Sequence, residues 1–408
     1  MKPMSLFRLP ALILLVASNF APAFAATAPD PAPDLHAEKL LSGSWLPGEI
    51  MASARQADGK ILLGGVFNRV SGSIARTHLL RLNRDGTLDA DFAPVFFSDT
   101  AMQVSALATN GDAIYAGGIF LTVNGANRYS IVKLHLDGTL YTEWTSPFSN
   151  PSFNAVNAIV ATEAGVFVAG DLLDHDAWGI ARLDPATGAF DTAWSAQMQF
   201  SPTATPNSGN RGEGNALLAI GNDLIVGGSF GQIAGVARTG VARISQSAPV
   251  VVRAFDGGIS GTVRALARSG NGLYVGGDFF RATPPGAGYL NRLNIDTGAL
   301  DFNWSPDTFG SVYALHVVVD TLYAGGSFTA ATTGGARLAR FPLNGDGSVD
   351  QSWNPSVDDT VYALSDTCHG NLLVGGSFET ISNATRYGMA AFGVPQIDCL
   401  FADGFEGD

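Results

Sequence analysis

Short apolar segments recur along the chain, and turn residues interrupt them at regular places. Val104–Ala108 and Val263–Ala267 alternate between residue types with the two-residue period of a strand. The second segment is followed by Ser269-Gly270-Asn271-Gly272 and then by a further apolar stretch. Strand-like segments separated by Gly, Asn and Asp are typical of hairpins. The pattern therefore predicts an all-β chain built from antiparallel hairpins.

A glycine doublet marks one position of a longer repeat. It ends an apolar segment and recurs about every 50 residues, the interval typical of repeat architectures. One further copy, the third along the chain, is degenerate and has Ala169 in the first position of the doublet. The intact copies begin at Gly64, Gly117, Gly227, Gly276, Gly325 and Gly375.

Each repeat contains four strand-like pieces. The third is seen in Leu79–Leu82 and Ile180–Leu183, and a turn such as Asp85-Gly86 separates it from a fourth piece centred on an aromatic residue. Units of four short strands, repeated seven times, predict a seven-bladed β-propeller of four-stranded antiparallel blades. The doublet would allow close backbone approach near the crowded centre of the ring.

The aromatic residue of the fourth piece also occurs seven times, but the series is displaced relative to the doublets. Its first member precedes the first doublet and none follows the last. This offset predicts that Leu40–Pro47 pairs with the strand Gly388–Phe392, so that both chain ends close one sheet and leave no open edge. The series is Trp45, Phe92, Trp144, Trp194, Phe255, Trp304 and Trp353.

Two segments carry a family resemblance. Ala54–Gly65, with sequence ARQADGKILLGG, and Leu82–Phe92, with sequence LNRDGTLDADF, resemble the bacterial delta-60 repeat. The resemblance extends over nearly all of the chain after its N-terminal segment, and it implies a β-propeller with no assigned activity. The glycine doublet and later tryptophan are more loosely similar to kelch-type blades and to fungal cortical polarity-marker repeats. None of these families implies a catalytic residue here.

The N-terminal segment has the organisation of a secretory signal. Lys2 and Arg8 precede the apolar stretch Leu9–Phe20, and Ala23-Phe24-Ala25 is a cleavage site of the small-x-small type. We therefore expect a signal peptide over 1–25, a Pro/Ala-rich linker over 26–39, the propeller over 40–394 and a tail over 395–408. The alternative is a membrane anchor, but the apolar stretch is interrupted and short for a span.

The charge composition limits the classes of binding partner that are expected. The formal net charge is −13, and an acidic surface repels phosphate backbones, so no nucleic-acid partner is expected. Export permits a disulfide between Cys368 and Cys399. Two unpaired buried thiols are the alternative, because sequence spacing does not decide the geometry.

A recurring arginine follows the doublet after about a dozen residues, where the chain returns toward the third strand. A ring of guanidinium groups on a propeller face is suited to bidentate binding of carboxylates or acidic glycans. The favoured alternative is local pairing with an aspartate of the fourth piece (Asp89, Asp191, Asp301 or Asp350). The arginines are Arg76, Arg128, Arg238, Arg337 and Arg386.

Two further groups are candidates for ligand binding. Asp171, Asp174, His175 and Asp176 form the densest cluster of potential ligands for calcium or manganese. A solvated acidic loop is the favoured alternative, so no metal or other cofactor is predicted. Aromatic residues in the loops between repeats would suit stacking on sugars or peptides. These are Phe97, Phe148, Phe153 and Phe309, beside the long insertion 197–214.

Three hypotheses about function follow. The first is an exported, monomeric, non-catalytic scaffold that binds a protein or a carbohydrate through its interblade loops. The second is an exported propeller enzyme acting on polysaccharide, with candidate carboxylates at Asp99, Asp307, Asp358 and Asp359. The third is a purely structural surface protein. Fold alone does not choose among them.

Overall fold

The computed structural model describes residues 35–97, 102–149, 154–174, 177–201, 210–280, 288–306, 308–330, 336–367 and 370–394. Within these ranges the regular structure is β-strand, and no helix there is long and apolar enough to span a membrane. The first strand begins at Ala37, inside the segment expected to be a linker.

Seven antiparallel sheets, each with three main strands, account for most of the described strands, and the sixth gains a short fourth strand, Thr308–Phe309. We call them repeats 1 to 7, and we name their strands inner, middle and outer in chain order. In each sheet the middle strand lies between the other two. In that order the strands are Glu49–Arg55, Ile61–Val66 and Leu79–Leu82; Gln103–Asn110, Ala113–Ile119 and Ile131–His135; Ala155–Thr162, Gly165–Asp171 and Ile180–Leu183; Glu213–Ile220, Asp223–Ser229 and Val241–Ser245; Ser260–Ser269, Gly272–Phe280 and Leu290–Asn294; Val312–Val318, Thr321–Ala330 and Ala336–Pro342; Val361–Thr367, Asn371–Gly376 and Met389–Gly393.

The loops that connect the strands of these sheets contain further short strands. An N-terminal hairpin, Ala37–Leu41 with Ser44–Pro47, is joined to the loop of repeat 1. The remaining short strands lie in the loops after the middle strands or in the loops between repeats. They are Arg69–Val70, Ile74–Ala75, Phe96–Phe97, Thr122–Val123, Ala126–Asn127, Met198–Gln199, Gln232–Ile233, Val236–Ala237, Thr308–Phe309, Thr380–Ile381 and Ala384–Thr385.

Neighbouring repeats pack through their inner strands. Each inner strand contacts the inner strand of the next repeat, and that of repeat 7 contacts that of repeat 1. Hydrophobic clusters fill the spaces between sheets, so one sheet's two faces are covered by its neighbours. This arrangement is all-β and propeller-like.

The second glycine of each doublet is required by the sheet itself. The inner strand is bulged opposite the doublet, which brings its carbonyl oxygen against the middle strand. A Cβ built on Gly65 would lie 1.9 Å from the Glu49 oxygen, and one on Gly277 would lie 2.1 Å from the Thr262 oxygen. No side chain fits at that distance, which explains why the second position is always glycine.

The first position of the doublet is required by the neighbouring repeat. A Cβ on Gly64 would lie 2.6 Å from Cγ1 of Val104, on the inner strand of repeat 2. The third repeat departs from this pattern with Ala169, and there the facing residue is Gly214 instead of a valine. The side chain at this contact is therefore on the opposite repeat from the valine of the other copies, and it is the smaller methyl group of alanine.

The fourth piece of the repeat is not a full strand. It makes single bridges to the outer strand, such as Leu82 with Leu88 and Leu183 with Phe190. The expectation of four-stranded blades is therefore wrong. The chain turns immediately afterwards, because the Asp191 carboxylate accepts hydrogen bonds from the backbone N–H groups of Ala193 and Trp194 at 3.0 and 3.3 Å. This turn points the aromatic ring into the space between two sheets.

Six of the seven predicted aromatic residues are buried in this way, but Trp45 is not. It is 42% exposed, and the Arg69 guanidinium lies 3.4 Å above its ring. The buried set is Phe92, Trp144, Trp194, Phe255, Trp304 and Trp353.

Trp45 is exposed because its strand does not pair as expected. The outer strand of repeat 7 pairs with its own middle strand. The N-terminal hairpin instead pairs with Arg69–Val70, where Glu38 accepts hydrogen bonds from Arg69 at 3.0 and 3.3 Å. One backbone hydrogen bond, from Ala37 N–H to the Tyr387 oxygen at 3.0 Å, reaches repeat 7. Pairing of Leu40–Pro47 with Gly388–Phe392 is thus wrong, because the ionic and ring contacts hold the hairpin on repeat 1.

Candidate functional site

The inner strands of all seven repeats line one central cavity of about 230 Å³. Six of them present three successive side chains to it because each inner strand is bulged at this level, and that of repeat 4 presents Ala216 and Leu217. The residue after the bulge is alanine in every repeat, for example Ala52, Ala106 and Ala158. This small ring fits the narrowest part of a space where seven strands converge.

One side of the alanine ring is apolar. The next residue along each inner strand forms a second ring of mainly leucine and isoleucine: Ser53, Leu107, Ile159, Leu217, Leu266, Leu315 and Leu364. The other side is mainly polar and holds five residue types in its seven positions. Its ring, which we call the channel mouth, consists of Met51, Ser105, Asn157, Asn215, Arg264, Tyr313 and Tyr362.

An acid and two amides occupy one sector of the mouth. The Asn157 amide donates to Glu213 Oε1 at 3.0 Å and to Asn215 Oδ1 at 3.1 Å. Burial raises the pKa of Glu213, and the nearby Asp171 raises it further, whereas Arg264 and Asn157 act in the opposite direction. Glu213 is therefore a partly buried carboxyl group that accepts a hydrogen bond from Asn157.

An arginine and two tyrosines occupy the facing sector. The Arg264 guanidinium lies 5.3 Å from the centre of the Tyr313 ring, and the Tyr313 and Tyr362 rings are 5.5 Å apart with an interplanar angle of 57°. Burial raises the pKa of Tyr362, and Glu49 adds to this effect. Arg264 Nε and Asn215 Nδ2 are buried, and neither has a hydrogen-bond partner among the described residues.

The opposite end of the channel carries a separate ionic group. Asp366 of repeat 7 accepts from Arg55 of repeat 1 at 3.1 Å and lies 2.6 Å from His316 Nε2 of repeat 6. Burial would raise the Asp366 pKa, but the hydrogen bond and charge of His316 and the charge of Arg55 outweigh it and lower that pKa. Three repeats are thus tied together at this end.

The recurring arginines point into the fold. Arg76 is 8% exposed and donates to the carbonyl oxygens of Asp89 and Ala90 at 3.4 and 2.8 Å, and Arg238 donates to the Phe255 oxygen at 2.9 Å. Arg128 and Arg386 donate to the preceding residue's carbonyl, and Arg337 donates to that of Val357. These contacts are local, but the acceptors are backbone carbonyl groups and not the carboxylates of the fourth-piece aspartates that the sequence favoured as partners.

Arg337 does not occupy the position of the others. The outer-strand residue after Arg337, Leu338, pairs with Gly325 as Leu79 pairs with Gly64, so Arg337 matches His78 rather than Arg76. Both have positive φ, 67° and 63°. Similar sequence spacing therefore concealed a difference of two residues.

The repeated aspartates pair with another arginine series that sequence reasoning missed. These arginines lie on the outer strands, and they form ion pairs with Asp89, Asp191, Asp301 and Asp350. They also reach the next repeat, as when Arg292 donates to the Leu343 oxygen at 2.8 Å. The available signal was an arginine followed directly by an apolar residue in the third piece, as in Arg81-Leu82 and Arg340-Phe341. The series is Arg81, Arg182, Arg292 and Arg340.

Two of the predicted loop aromatics are exposed and one is not. Phe97 and Phe309 are 57% and 60% exposed, whereas Phe148 is 2% exposed and packs against Phe190. Phe148 is therefore part of the core rather than of a binding face, and Phe153 lies outside the described residues. The described part of the insertion 197–214 adds Phe200, which is 65% exposed.

The described residues of the candidate metal cluster bind other protein groups. Asp171 pairs with Arg211 at 2.9 Å, and Asp174 accepts from Ser149 and Asn154. His175 and Asp176 lie outside the described residues, and within the described ranges no group of three potential metal ligands converges. Cys368 and Cys399 also lie outside them.

Of the carboxylates suggested for catalysis, Asp358 and Asp359 are described. Asp358 accepts backbone hydrogen bonds from Glu379 and Thr380, both at 3.0 Å, and Asp359 accepts one from Thr360 at 2.7 Å. Both therefore shape loops. Asp99 and Asp307 fall outside the described ranges.

Comparison with known proteins agrees with the fold. A family described as "Domain of unknown function (DUF5122) beta-propeller" matches residues 56–92 and 113–140. No curated protein matches the sequence. Similar solved structures include virginiamycin B lyase from Staphylococcus aureus, with 13% identity, TM-score 0.49 and coverage of 88% of this chain and 99% of the other. BamB from Moraxella catarrhalis has 12% identity, TM-score 0.43 and coverage of 84% of each chain.

The sheets and the family match together define the class: this is a repeat protein of the β-propeller type. A propeller fold supports a protein-interaction scaffold in general.

Proposed function

We propose that the protein is an exported, monomeric, non-catalytic binding scaffold, and that its seven repeats are the blades of one closed propeller. The support for closure is the contact of the inner strands of repeats 7 and 1, together with a cavity lined by all seven inner strands. The same face of the ring carries the channel mouth and the loops between repeats.

One observation carries the binding function. The backbone repeats faithfully, and the alanine ring is the same in all seven repeats, yet the ring at the mouth holds five residue types in seven positions. Side chains that only stabilise a repeated fold repeat with it. The variation at the mouth, with buried polar atoms of Arg264 and Asn215 that have no partner among the described residues, supports a role in ligand binding.

The surrounding loop face adds exposed aromatic residues. Phe97, Phe200 and Phe309 stand in three different loops between repeats, and each is more than half exposed. Aromatic side chains provide large contact areas at low entropic cost, so they anchor many protein and carbohydrate interfaces. We propose that the partner covers this face.

The scaffold hypothesis is tested by binding measurements on the mature chain. The probes are cell-envelope polysaccharide and soluble exported proteins, both extracted from the cells that naturally produce the protein. They are applied to the immobilised chain. Phe97→Ser, Phe200→Ser and Phe309→Ser combined should weaken binding at least about tenfold, because truncating an aromatic anchor costs more than about 1 kcal/mol.

The matched control is Phe302→Ser with Val319→Ser. Phe302 and Val319 are also exposed, but they lie near the hairpin turns at the opposite end of the repeats. Equal loss of binding in both variants, or no binding of either probe by the wild type, would refute the scaffold hypothesis.

Export is a separate part of the proposal. Expression of the full chain in a bacterial host should give a product that begins after Ala25 and is found in the periplasm or medium. N-terminal sequencing of fractionated cells measures this directly. An uncleaved chain in the cytoplasm would contradict it.

A further inference from the structure

We infer that the channel mouth binds one neutral sugar residue, held between the Tyr313–Tyr362 pair and the polar group of Asn157, Glu213 and Arg264. This inference rests on the proposed binding function and specifies its ligand.

The mouth contains both hydrogen-bond donors and hydrogen-bond acceptors. Arg264 offers a buried Nε–H without a partner among the described residues, and Asn215 offers its amide N–H groups under the same condition. Glu213 accepts from Asn157 through Oε1. A ligand that fills this space must both accept and donate hydrogen bonds, and the adjacent hydroxyl groups of a sugar ring do both.

The charges at the mouth favour a neutral ligand. Glu49 is paired with Lys39 at 2.5 Å, and Asp171 with Arg211 at 2.9 Å. The remaining charges, Glu213 and Arg264, are opposite in sign and influence each other. An anion that reached Arg264 would also meet Glu213, and a cation that reached Glu213 would also meet Arg264, so neither sign of charge is favoured.

Shape supports a single ring. The cavity of about 230 Å³ is smaller than the clefts of about 300–1,000 Å³ that hold drug-sized ligands. Two tyrosine rings at 57° form an open angle on one side, and Met51 lies between them and Ser105 along the ring of repeats. Aromatic faces pack against the C–H groups of a sugar, while its hydroxyl groups remain free for polar partners.

The test measures binding of free monosaccharides to the full mature chain by saturation-transfer NMR and calorimetry. The probes are glucose, galactose, mannose and N-acetylglucosamine, with glucuronate and inorganic phosphate as anionic counterparts. We expect saturable binding of at least one neutral sugar, and binding of it at least about tenfold tighter than of either anion, which corresponds to about 1.4 kcal/mol.

Two variants and their controls locate the site. Arg264→Gln and Tyr313→Leu should each weaken binding of the sugar at least about tenfold. Arg268→Gln, four residues further on the same strand, and Phe302→Leu, near the opposite end, should leave it unchanged. Tyr313→Phe keeps the ring and should retain most of the affinity, which separates stacking from a general loss of structure.

Each outcome decides between the two proposals. Binding of anions alone, or binding of sugar that Arg264→Gln and Tyr313→Leu do not weaken, would overturn the inference. If no monosaccharide binds but the loop-face variant still abolishes binding of a larger partner, the sugar site is refuted and the scaffold function stands. If neither is observed, both fail.

Discussion

Gly375 of repeat 7 lies directly against Ile50 of repeat 1, so close that a Cβ on the glycine would stand 2.6 Å from Cγ2 of the isoleucine. The same relationship links Gly325 to Val361 and Gly276 to Val312. The contact between the two ends of the described chain is therefore made by the same pair of positions that joins consecutive repeats. Backbone approach, rather than a special closing element, sets the spacing between neighbouring inner strands.

The glycine–valine contact predicts a compensating pair of substitutions. Gly325→Ala places a methyl group 2.4 Å from Cγ1 of Val361, and such overpacking typically costs about 1–3 kcal/mol of unfolding free energy. Val361→Ala removes the obstruction, as Gly214 does opposite Ala169. In a double-mutant cycle by urea denaturation, we expect a favourable coupling of at least about 0.5 kcal/mol. Strictly additive effects would contradict the proposed contact.

Substitution by alanine should cost much more unfolding free energy at a buried tryptophan than at the exposed one. Trp304 is 1% exposed and packs edge-on against Tyr274 and Phe341, so Trp304→Ala should cost about 3–5 kcal/mol of unfolding free energy. Trp45→Ala, at the exposed site, removes mainly the contact with Arg69 and should cost about 1 kcal/mol or less. Chemical denaturation measures both, and similar costs would show that the hairpin is part of the core.

A buried histidine makes stability depend on pH. Burial lowers the pKa of His78 from 6.5 to about 4, against the opposing effect of its hydrogen bond to the Gly65 oxygen. Because the folded pKa is depressed, the neutral form's stabilisation is complete above pH 6.5 and is lost as the pH falls from 6.5 toward 4. The loss amounts to about 3 kcal/mol, since one pKa unit corresponds to about 1.4 kcal/mol.

His78→Asn tests this dependence. Asparagine tolerates the positive φ of 63° at this position and does not titrate. Thermal melts between pH 4 and pH 8 should show a flatter profile for the variant than for the wild type. If both profiles fall equally between pH 6.5 and pH 4, the loss of stability arises elsewhere.

The ionic group at the far end of the channel should stabilise the packing of the last repeats on the first. Asp366→Asn removes the negative charge that Arg55 and His316 contact, and we expect a cost of about 1–3 kcal/mol at pH 7. The low pKa of Asp366 gives stability that is present above its unfolded value of about 3.8 and is lost as the pH falls through the lower folded value. The difference between variant and wild type should therefore shrink in acid.

The control for this substitution is Asp91→Asn, on an exposed turn residue. It should change the unfolding free energy by no more than about 0.5 kcal/mol. An equal effect at both sites would indicate a general response to net charge rather than a specific contact.

The repeat could be recognised in advance because its causes are local. A glycine is needed wherever a bulged carbonyl meets the middle strand. Gly65 and Gly277 are two examples, and the second glycine of every other doublet meets the same kind of carbonyl. The channel mouth could not be recognised, because Asn157, Arg264 and Tyr313 look like ordinary strand residues until seven strands are brought together. Trp45 was misassigned for a similar reason: its partner is Arg69, and sequence does not reveal that contact.

The sequence alone determined the period, the doublets, the turns and the six aromatic residues that are buried after the outer strands. These features depend on hydrogen bonds and side-chain volumes within about fifty residues, so each copy carries its own record of them. Only the tertiary structure decided where the N-terminal hairpin lies, which arginines pair with the aspartates, and which side chains meet at the channel. Those outcomes depend on distances between separate repeats, and no residue's neighbours along the chain specify them.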